Sequence, residues 1–149
     1  IPSYRGRMER LYGLREEIEK VPGCVLHNLT WDDTSTLGSA LQRLIDGGAK
    51  PTAFFCAHDG LAVTVISELL SQGKRIPQDV SIIGFGDFSA AQQILPQLTT
   101  VKIPGVEMGR ASARRLRDLI AQNEKDRTPL RIYVPCHIVE RRSCSPVVK

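Results

Sequence analysis

The chain has 149 residues, 42% of them hydrophobic and 24% charged, which is ordinary for a soluble globular domain with one core. Its formal net charge is +4, but the basic residues are dispersed apart from small groups at 114–117 and 141–142, which argues against direct DNA binding by this chain. No apolar run approaches the roughly 20 residues that span a bilayer, and no secretory leader opens the sequence.

Helices and strands alternate along the first part of the chain. Residues 7–20 form a predicted amphipathic helix that Pro22-Gly23 ends, and residues 24–29 form a predicted strand. Apolar residues at helical spacing predict the next helix over residues 34–46, closed by the glycine pair that follows. The inward-facing positions of these two helices are Leu11, Leu14, Ile18, Leu37, Leu41, Leu44 and Ile45.

A strand, a helix and a second strand are predicted within residues 51–101. Residues 53–57 are a short apolar run, and Asp59 is placed to cap the helix that follows and ends at Gly73. The apolar run 80–85 shows no polar alternation, which predicts a parallel strand covered on both faces. Polar residues follow both strands, and α/β sheets bind ligands at the carboxyl ends of their strands. The sequence therefore predicts a small-molecule pocket at that edge.

The cysteines and histidines show no metal-binding pattern. The four cysteines lack C-x-x-C spacing, and Cys56 lies in a predicted core strand, where a reduced thiol packs well. This usage indicates a reducing cytoplasm. His27, His58 and His137 are scattered singly, so we expect no metal and no cofactor. An enzyme is not predicted either, because the sequence shows neither a nucleophile-elbow pattern nor a phosphate-binding glycine loop.

Several motifs occur in an order that resembles the effector-binding core of the LacI/GalR family of bacterial transcription regulators. The motifs are RIPQDVS, GF followed by Asp87, PQLTT, EMGRA and VERRS, at residues 75–81, 84–87, 96–100, 107–111 and 139–143. The resemblance covers nearly the whole chain. It implies a type I periplasmic-binding-protein-like α/β fold with a doubly wound parallel sheet.

In that family the core has two similar lobes with the ligand between them, and a DNA-binding helix-turn-helix precedes both. The resemblance implies that this chain is a piece of such a core, mainly its C-terminal lobe, without the helix-turn-helix or the early strands of the first lobe. Residues 1–100 match the C-terminal lobe, residues 101–135 cross back to the N-terminal lobe, and residues 136–149 hold the final strand and tail. The apolar stripe of a predicted helix over residues 106–122 therefore needs a partner.

Three residues are candidates to contact an effector in the cleft. Arg10 matches an arginine that the family places three residues before a glycine, and its planar fork suits paired hydroxyls or a carboxylate. Trp31 stands where relatives often carry a side chain that stacks on the ligand. His58 replaces an asparagine of many relatives, which leaves open a different ligand or one with negative charge. The alternatives are an exposed helical arginine, a loop anchor and a histidine that satisfies a loop carbonyl.

The acidic pair that the family usually has after Gly-Phe is incomplete here. Gly86 replaces the first acid, which commonly bonds the ligand in relatives, and only Asp87 remains. Asp87 is therefore either a substitute contact for the ligand or a residue that stabilises the loop. Ser3, before the first helix, is a minor candidate for a hydroxyl contact, with ordinary solvent exposure as the alternative.

By the same resemblance, a second surface forms a two-fold dimer. It lies on the helix after Asp59 and in the loop after the strand 80–85, where exposed apolar side chains would be costly in a monomer. The alternative is that Ile94 and Leu95 fold inward beneath the loop. The predicted interface residues are Val63, Ala90, Ala91, Ile94 and Leu95.

The motifs together predict the ligand-sensing and dimerising part of a cytoplasmic LacI-type regulator. Such a regulator binds a sugar or sugar derivative and acts on operator DNA through a domain outside this chain. The main alternative is a periplasmic-type sugar-binding protein of a transporter, which shares the fold and differs by an upstream signal peptide. The unpaired cysteines and the Val-x-Arg-x-Ser ending at residues 139–143 favour the regulator.

Overall fold

The computed structural model describes residues 5–30, 36–121 and 128–146. The helices of this part are α1 (Arg5–Ile18), α2 (Leu37–Asp46), α3 (Asp59–Ser71), α4 (Ser89–Gln93) and α5 (Gly105–Ala121). Its strands are β1 (Ala53–Phe55), β2 (Ser81–Gly86), β3 (Thr99–Lys102) and β4 (His137–Val139). None of these helices combines the length and the apolar character needed to cross a membrane.

The strands of the described part form one sheet in the order β1-β2-β3-β4. β1 runs parallel to β2, and β2 runs parallel to β3, with Gly84 opposite Thr100. β4 comes back after α5 and pairs antiparallel with β3, with Ile138 opposite Val101. The predicted α/β class and parallel core are confirmed. The antiparallel edge strand is an addition that the alternation of elements did not predict.

The strand predicted over residues 24–29 is wrong. This segment has irregular backbone, Val25 is 76% exposed, and the N–H of Cys24 bonds the carbonyl of Val21 in a turn at 3.2 Å. A strand requires a neighbouring backbone to pair with as well as apolar side chains. Within the described ranges residues 25–30 pair with no strand, and the edge strand β1 is only 3 residues long.

The core lies between α2, α3 and the sheet, as the apolar spacing of both helices predicted. α3 buries Val65, Ile66 and Leu69, and α2 buries Leu37 and Leu41. Each large aliphatic side chain that is fully buried contributes about 1.5–3 kcal/mol relative to exposure, so these faces anchor both helices. The other buried apolar residues of the core are Cys56, Ala62, Ile76, Val80, Ile82, Ala91 and Leu98.

One face of β2 and the whole of α5 are less covered than the core. Along β2 buried and half-buried residues alternate, so the expectation that both faces are covered is wrong. On the half-buried face the guanidinium of Arg10 lies over the ring of Phe85, where a strand covered on both faces would have the apolar side chains of a helix. α5 buries none of its residues, and Leu116 and Ile120 are 60% and 73% exposed.

The segment after β4 crosses the sheet and joins β2 to β3. The Ser143 hydroxyl donates to the carbonyl of Ile82 at 2.5 Å and accepts from the N–H of Thr99 at 2.8 Å. The N–H of Ile82 in turn bonds the carbonyl of Ser143 at 2.8 Å. Ser143 is fully buried, so these bonds are shielded from water and hold the two strands in register.

Replacing Ser143 with alanine is expected to lower the free energy of unfolding by about 1–3 kcal/mol, because the buried N–H of Thr99 loses its acceptor. Urea denaturation followed by circular dichroism measures this change. Ser145→Ala is the matched control, since Ser145 is exposed and its replacement is expected to cost less than about 1 kcal/mol. Equal costs for the two variants would contradict the role given to Ser143.

Cys56 follows β1 and is buried, as predicted for a core thiol. Burial first, and the nearby charge of Asp59 second, raise the pKa of this thiol to about 12. Because the thiolate is the reactive form of cysteine, Cys56 is inert near neutral pH. Cys24, Cys136 and Cys144 are exposed.

Iodoacetamide at about pH 8 is therefore expected to alkylate Cys24, Cys136 and Cys144 in the folded protein and to leave Cys56 unlabelled. Peptide mass spectrometry identifies the labelled residues, and the same treatment in concentrated urea is the control in which all of them react. Rapid labelling of Cys56 without urea would show that its burial is transient.

Candidate functional site

Arg10 reaches from α1 to the carboxyl ends of β1 and β2. Its Nη1 donates to the carbonyl oxygen of Ala57, just after β1, at 2.6 Å. Its Cζ lies 3.7 Å from the centroid of the Phe85 ring in β2, well within the roughly 6 Å limit of a cation–π contact. Arg10 is half-buried, so it is not the freely exposed helical arginine of the alternative prediction. It lies at the edge of the sheet predicted for a ligand.

His58 follows Ala57 and is the N-cap of α3. Its Nδ1 accepts the N–H of Leu61 at 3.0 Å, and the residue remains exposed. The prediction that Asp59 caps this helix is therefore wrong. Asp59 is the first helical residue, because the imidazole nitrogen of His58 fills the acceptor role that a carboxylate oxygen fills at other N-caps.

The carboxylate of Asp59 is fully buried and turned into the protein. Its Oδ1 accepts from the Thr100 hydroxyl at 2.5 Å, and its Oδ2 accepts from the N–H of Phe88 at 2.8 Å. Both oxygens therefore join α3 to β3 and to the loop after β2. Gly84 leaves the space for this contact, because a Cβ there would collide with Oδ1 of Asp59 and with Leu98.

Asp87 is 5% exposed and is held by two cations. The Nη2 of Arg141 donates to its Oδ1 at 2.5 Å, and the Nζ of Lys102 lies 3.4 Å from its Oδ2. Burial acts to raise the pKa of Asp87, but the hydrogen bonds and charges of Arg141 and Lys102 together lower it below the usual value. Its φ is +56, a left-handed conformation that aspartate tolerates. These contacts favour the second predicted role, support of the loop.

Gly86 replaces the expected acid at a position where the backbone disfavours any side chain. Its φ is +132, which residues other than glycine rarely adopt. A Cβ at this position would also lie 2.6 Å from the ring of Phe88. In this conformation the loop has no room for the acidic side chain that the family usually carries there.

Sequence reasoning missed three residues that build this edge of the sheet. Phe85 supports Arg10, while Lys102 and Arg141 bind Asp87. Arg141 also donates to the carbonyl of Leu98 at 2.8 Å. The VERRS motif already singled out Arg141, so a signal was available for that residue. The GF motif likewise contained Phe85, although nothing linked that ring to Arg10, and nothing marked Lys102.

The structure brings two of the five predicted ligand contacts together. Arg10 bonds the carbonyl of the residue before His58, so both side chains lie at the ends of β1 and β2. Asp87 lies in the loop after β2 and is already paired. Trp31 and Ser3 lie outside the described residues, and their roles stay predictions.

The predicted dimer surface is only partly exposed. Ala91 is fully buried in the core because α4 turns it inward, so it offers no surface to a partner. Ile94 is half-buried and packs against the core, as the alternative predicted, whereas Leu95 is 76% exposed. Val63 and Ala90 are half-buried.

Two open grooves on the described surface lie apart from Arg10 and His58, which line neither of them. The larger has a volume of about 360 Å³ and lies where β3 leads into α5, beside Lys102 and His137. The smaller, of about 250 Å³, lies between α5 and Leu130. Among residues 5–30, 36–121 and 128–146, no cluster of potential ligands could hold a metal ion.

The fold, and the polar residues at the carboxyl ends of β1 and β2, are those of an α/β binding domain. A family model for the periplasmic binding protein-like domain matches residues 3–144. The chain therefore belongs to the family of periplasmic binding protein-like domains. It is 38% identical to the "Probable HTH-type transcriptional repressor ExuR" of Bacillus subtilis (strain 168) over 85 residues, which are 57% of this chain and 26% of that protein.

Solved structures of regulators share the fold. A LacI family transcriptional regulator from Enterococcus faecium with bound ribose is 31% identical, with a TM-score of 0.63 over 74% of this chain and 40% of that one. The complex of the transcriptional regulator CelR with cellobiose is 29% identical, with a TM-score of 0.73 over 91% of this chain and 42% of that one. These matches confirm the resemblance to LacI-type regulators. They give no support to the alternative of a transporter's binding protein.

Replacing Asp87 with asparagine is expected to lower the free energy of unfolding by about 1.5–3 kcal/mol near pH 7, because a buried hydrogen bond between charged groups is lost. Asparagine has nearly the same size and tolerates the same left-handed backbone, so the change tests the charge and not the shape.

The effect has a defined pH dependence. The pKa of Asp87 is lower in the folded protein than in the unfolded chain, where it is about 3.9, so the stabilisation is complete above that pH and is lost as the pH falls through the folded pKa. The difference between wild type and variant in urea denaturation should be constant from about pH 7 to 5 and shrink below about pH 4. Asp118→Asn, at an exposed pair with Arg117, is the control. An effect of Asp87→Asn no larger than that control would contradict the assignment.

Proposed function

We propose that this chain is the ligand-sensing part of a LacI-type transcription regulator. The observation that carries this proposal is the position of Arg10, which Ala57 and Phe85 hold at the carboxyl ends of two neighbouring parallel strands. Ligands of α/β sheets bind at that edge. A guanidinium that is half-buried there, with further N–H groups beyond the one bonded to Ala57, is a donor suited to a hydroxyl pair or a carboxylate.

A sugar or sugar derivative is the effector class that the relatives support. The E. faecium regulator has bound ribose, and CelR forms a complex with cellobiose. Arg10 bonds the carbonyl of the residue before His58, and the two side chains supply polar groups of the kind that fix a hydroxylated ligand. Trp31 and Ser3 remain proposed contacts in the same cleft. The chain acts in this proposal by binding and not by catalysis.

We infer that α5 packs against a first lobe outside this chain. Its exposed apolar side chains include Leu116 and Ile120, and each large apolar residue left in water forgoes about 1.5–3 kcal/mol of stabilisation. The matched 85 residues are 26% of the ExuR sequence, and the matched part of this chain covers 40% of the ribose-bound regulator, which leaves room for that lobe and for a DNA-binding helix-turn-helix. Effector binding would shift the population of lobe arrangements and thereby the affinity for operator DNA.

We also propose that the regulator is a homodimer in the bacterial cytoplasm, where its operator DNA lies. Leu95 is the most exposed of the residues predicted for the interface, and Phe88, at the other end of α4, is 55% exposed. Val63 and Ala90 would complete this surface. Covering such an apolar patch in a second copy is favourable because it removes apolar area from water.

Replacing Arg10 with alanine, in the protein as its gene encodes it, is expected to weaken effector binding by about 10- to 150-fold, because a charged hydrogen-bond donor to the ligand is lost. The effector is first identified by the thermal shift that sugars and sugar derivatives cause. Isothermal titration calorimetry then measures its affinity, and fluorescence anisotropy with the protein's own promoter DNA measures the response. Arg5→Ala is the matched control, since Arg5 lies on the same helix and, among the described residues, pairs with exposed Glu9 alone.

The two parts of this proposal fail in different ways. A wild-type response in the Arg10→Ala protein, with unchanged circular dichroism, would show that the ligand lies elsewhere. A wild-type protein that binds its promoter DNA but responds to no sugar or sugar derivative would contradict the sensing function itself.

A further inference from the structure

We propose that the effector is an anion, a sugar or similar polyol carrying a carboxylate or phosphate group, and that Arg10 and His58 together receive the charge. This inference rests on the proposed function, because it names the class of molecule that the same site takes. Among the described residues at this edge of the sheet, the groups that remain for a ligand are hydrogen-bond donors, and the carboxylate acceptors are already bonded within the protein.

His58 presents a donor and no acceptor. The N–H of Leu61 donates to its Nδ1 at 3.0 Å, so that nitrogen carries no proton. In a neutral imidazole the proton then lies on Nε2, which becomes an N–H donor. Within the described ranges Nε2 has no hydrogen-bond partner, and the residue is exposed.

Arg10 presents only donors. A guanidinium has five N–H groups, and in the described part of the chain one of them bonds the carbonyl of Ala57. The Phe85 ring covers one face of the guanidinium plane at 3.7 Å, which fixes its orientation and leaves its edge for a ligand. Two parallel N–H groups on one edge match the two oxygens of a carboxylate or phosphate.

Asp59 and Asp87, the described carboxylates at this edge of the sheet, are not free to accept from a ligand. Both oxygens of Asp59 accept bonds inside the protein, and the residue is fully buried. Both oxygens of Asp87 face Arg141 and Lys102, and its side chain is 5% exposed. Gly86 stands where the resemblance implies an acid, and its positive φ and the ring of Phe88 disfavour a side chain there.

The consequence is a surface at the ends of β1 and β2 with a positive charge and an N–H donor, and with no free carboxylate among the residues that the structure describes there. A neutral sugar hydroxyl both donates and accepts. Arg10 and His58 only donate, so the O–H of the sugar would find no acceptor on them. An anionic oxygen only accepts, and bonds to it from charged donors are about twice as strong as neutral ones. The two donors therefore favour a ligand with a negative group over its neutral parent.

The test compares matched ligands that differ only in charge. Aldoses in gluco, galacto and arabino forms are titrated into the protein as its gene encodes it, together with their uronic or aldonic acids and their phosphate esters. We expect an acid or a phosphate to bind at least about tenfold more tightly than its neutral parent. The acid and phosphate arms show which anion the site takes. If no compound of either charge binds, the proposed function fails and this inference fails with it.

Two substitutions of His58 test its part. His58→Asp keeps a side-chain acceptor for the N–H of Leu61 but places a negative charge beside the ligand, and it is expected to weaken anion binding at least about tenfold. His58→Asn keeps the cap through its amide oxygen and replaces the ring N–H with an amide N–H, and it is expected to weaken anion binding less than His58→Asp does because it adds no negative charge. Equal thermal unfolding midpoints for the three proteins exclude misfolding as the cause.

The outcomes separate this inference from the proposed function. If a neutral sugar binds most tightly while Arg10→Ala still abolishes the response, the inference is wrong and the regulator proposal stands. If His58→Asp binds the anion as wild type does, His58 does not receive the charge. A preference for the anion that both Arg10→Ala and His58→Asp abolish is the result expected here.

Discussion

The buried carboxylate of Asp59 is the contact on which the geometry of the ligand edge depends. It accepts from the hydroxyl of Thr100 and the N–H of Phe88, so it fixes the start of α3, the body of β3 and the loop after β2 to one another. An ionisable group can be buried at tolerable cost only when its oxygens are bonded in this way. His58 directly precedes Asp59, and Asp87 directly precedes Phe88. The hydrogen bond between Asp59 and Phe88 therefore positions both His58 and Asp87.

Much of the fold could be predicted because α2, α3 and β2 bury apolar residues inside the described chain, and burial leaves a periodic pattern in the sequence. Residues 24–29 show the limit of that reasoning. Their apolar run is as good as that of β1, but a strand needs a partner backbone, and a sequence window does not contain the partner. The cap of α3 was assigned one residue too late for a related reason, since Thr100 and Phe88 draw the Asp59 carboxylate inward from far along the chain.

The candidate site, like the fold, could be predicted only in part from the sequence. Arg10 and His58 could be named from the resemblance, because each occupies a fixed place relative to a motif. Their surroundings could not, since the ring beneath Arg10 and the N–H that His58 accepts are products of tertiary and local packing. For Asp87 the sequence left two roles open, and the return of the final segment beside β3, with Arg141, favours loop support.

The cap at His58 has an evolutionary consequence. The residue at this position supplies the side-chain acceptor that starts α3. Asparagine, aspartate, serine and threonine can take over this role, whereas apolar residues cannot. Those residues turn chemically different groups toward solvent. Histidine codons become asparagine or aspartate codons through a single nucleotide change. A lineage can therefore alter the charge of this edge by point mutation while the helix start is retained, so ligand range can diverge among descendants faster than the fold that supports it.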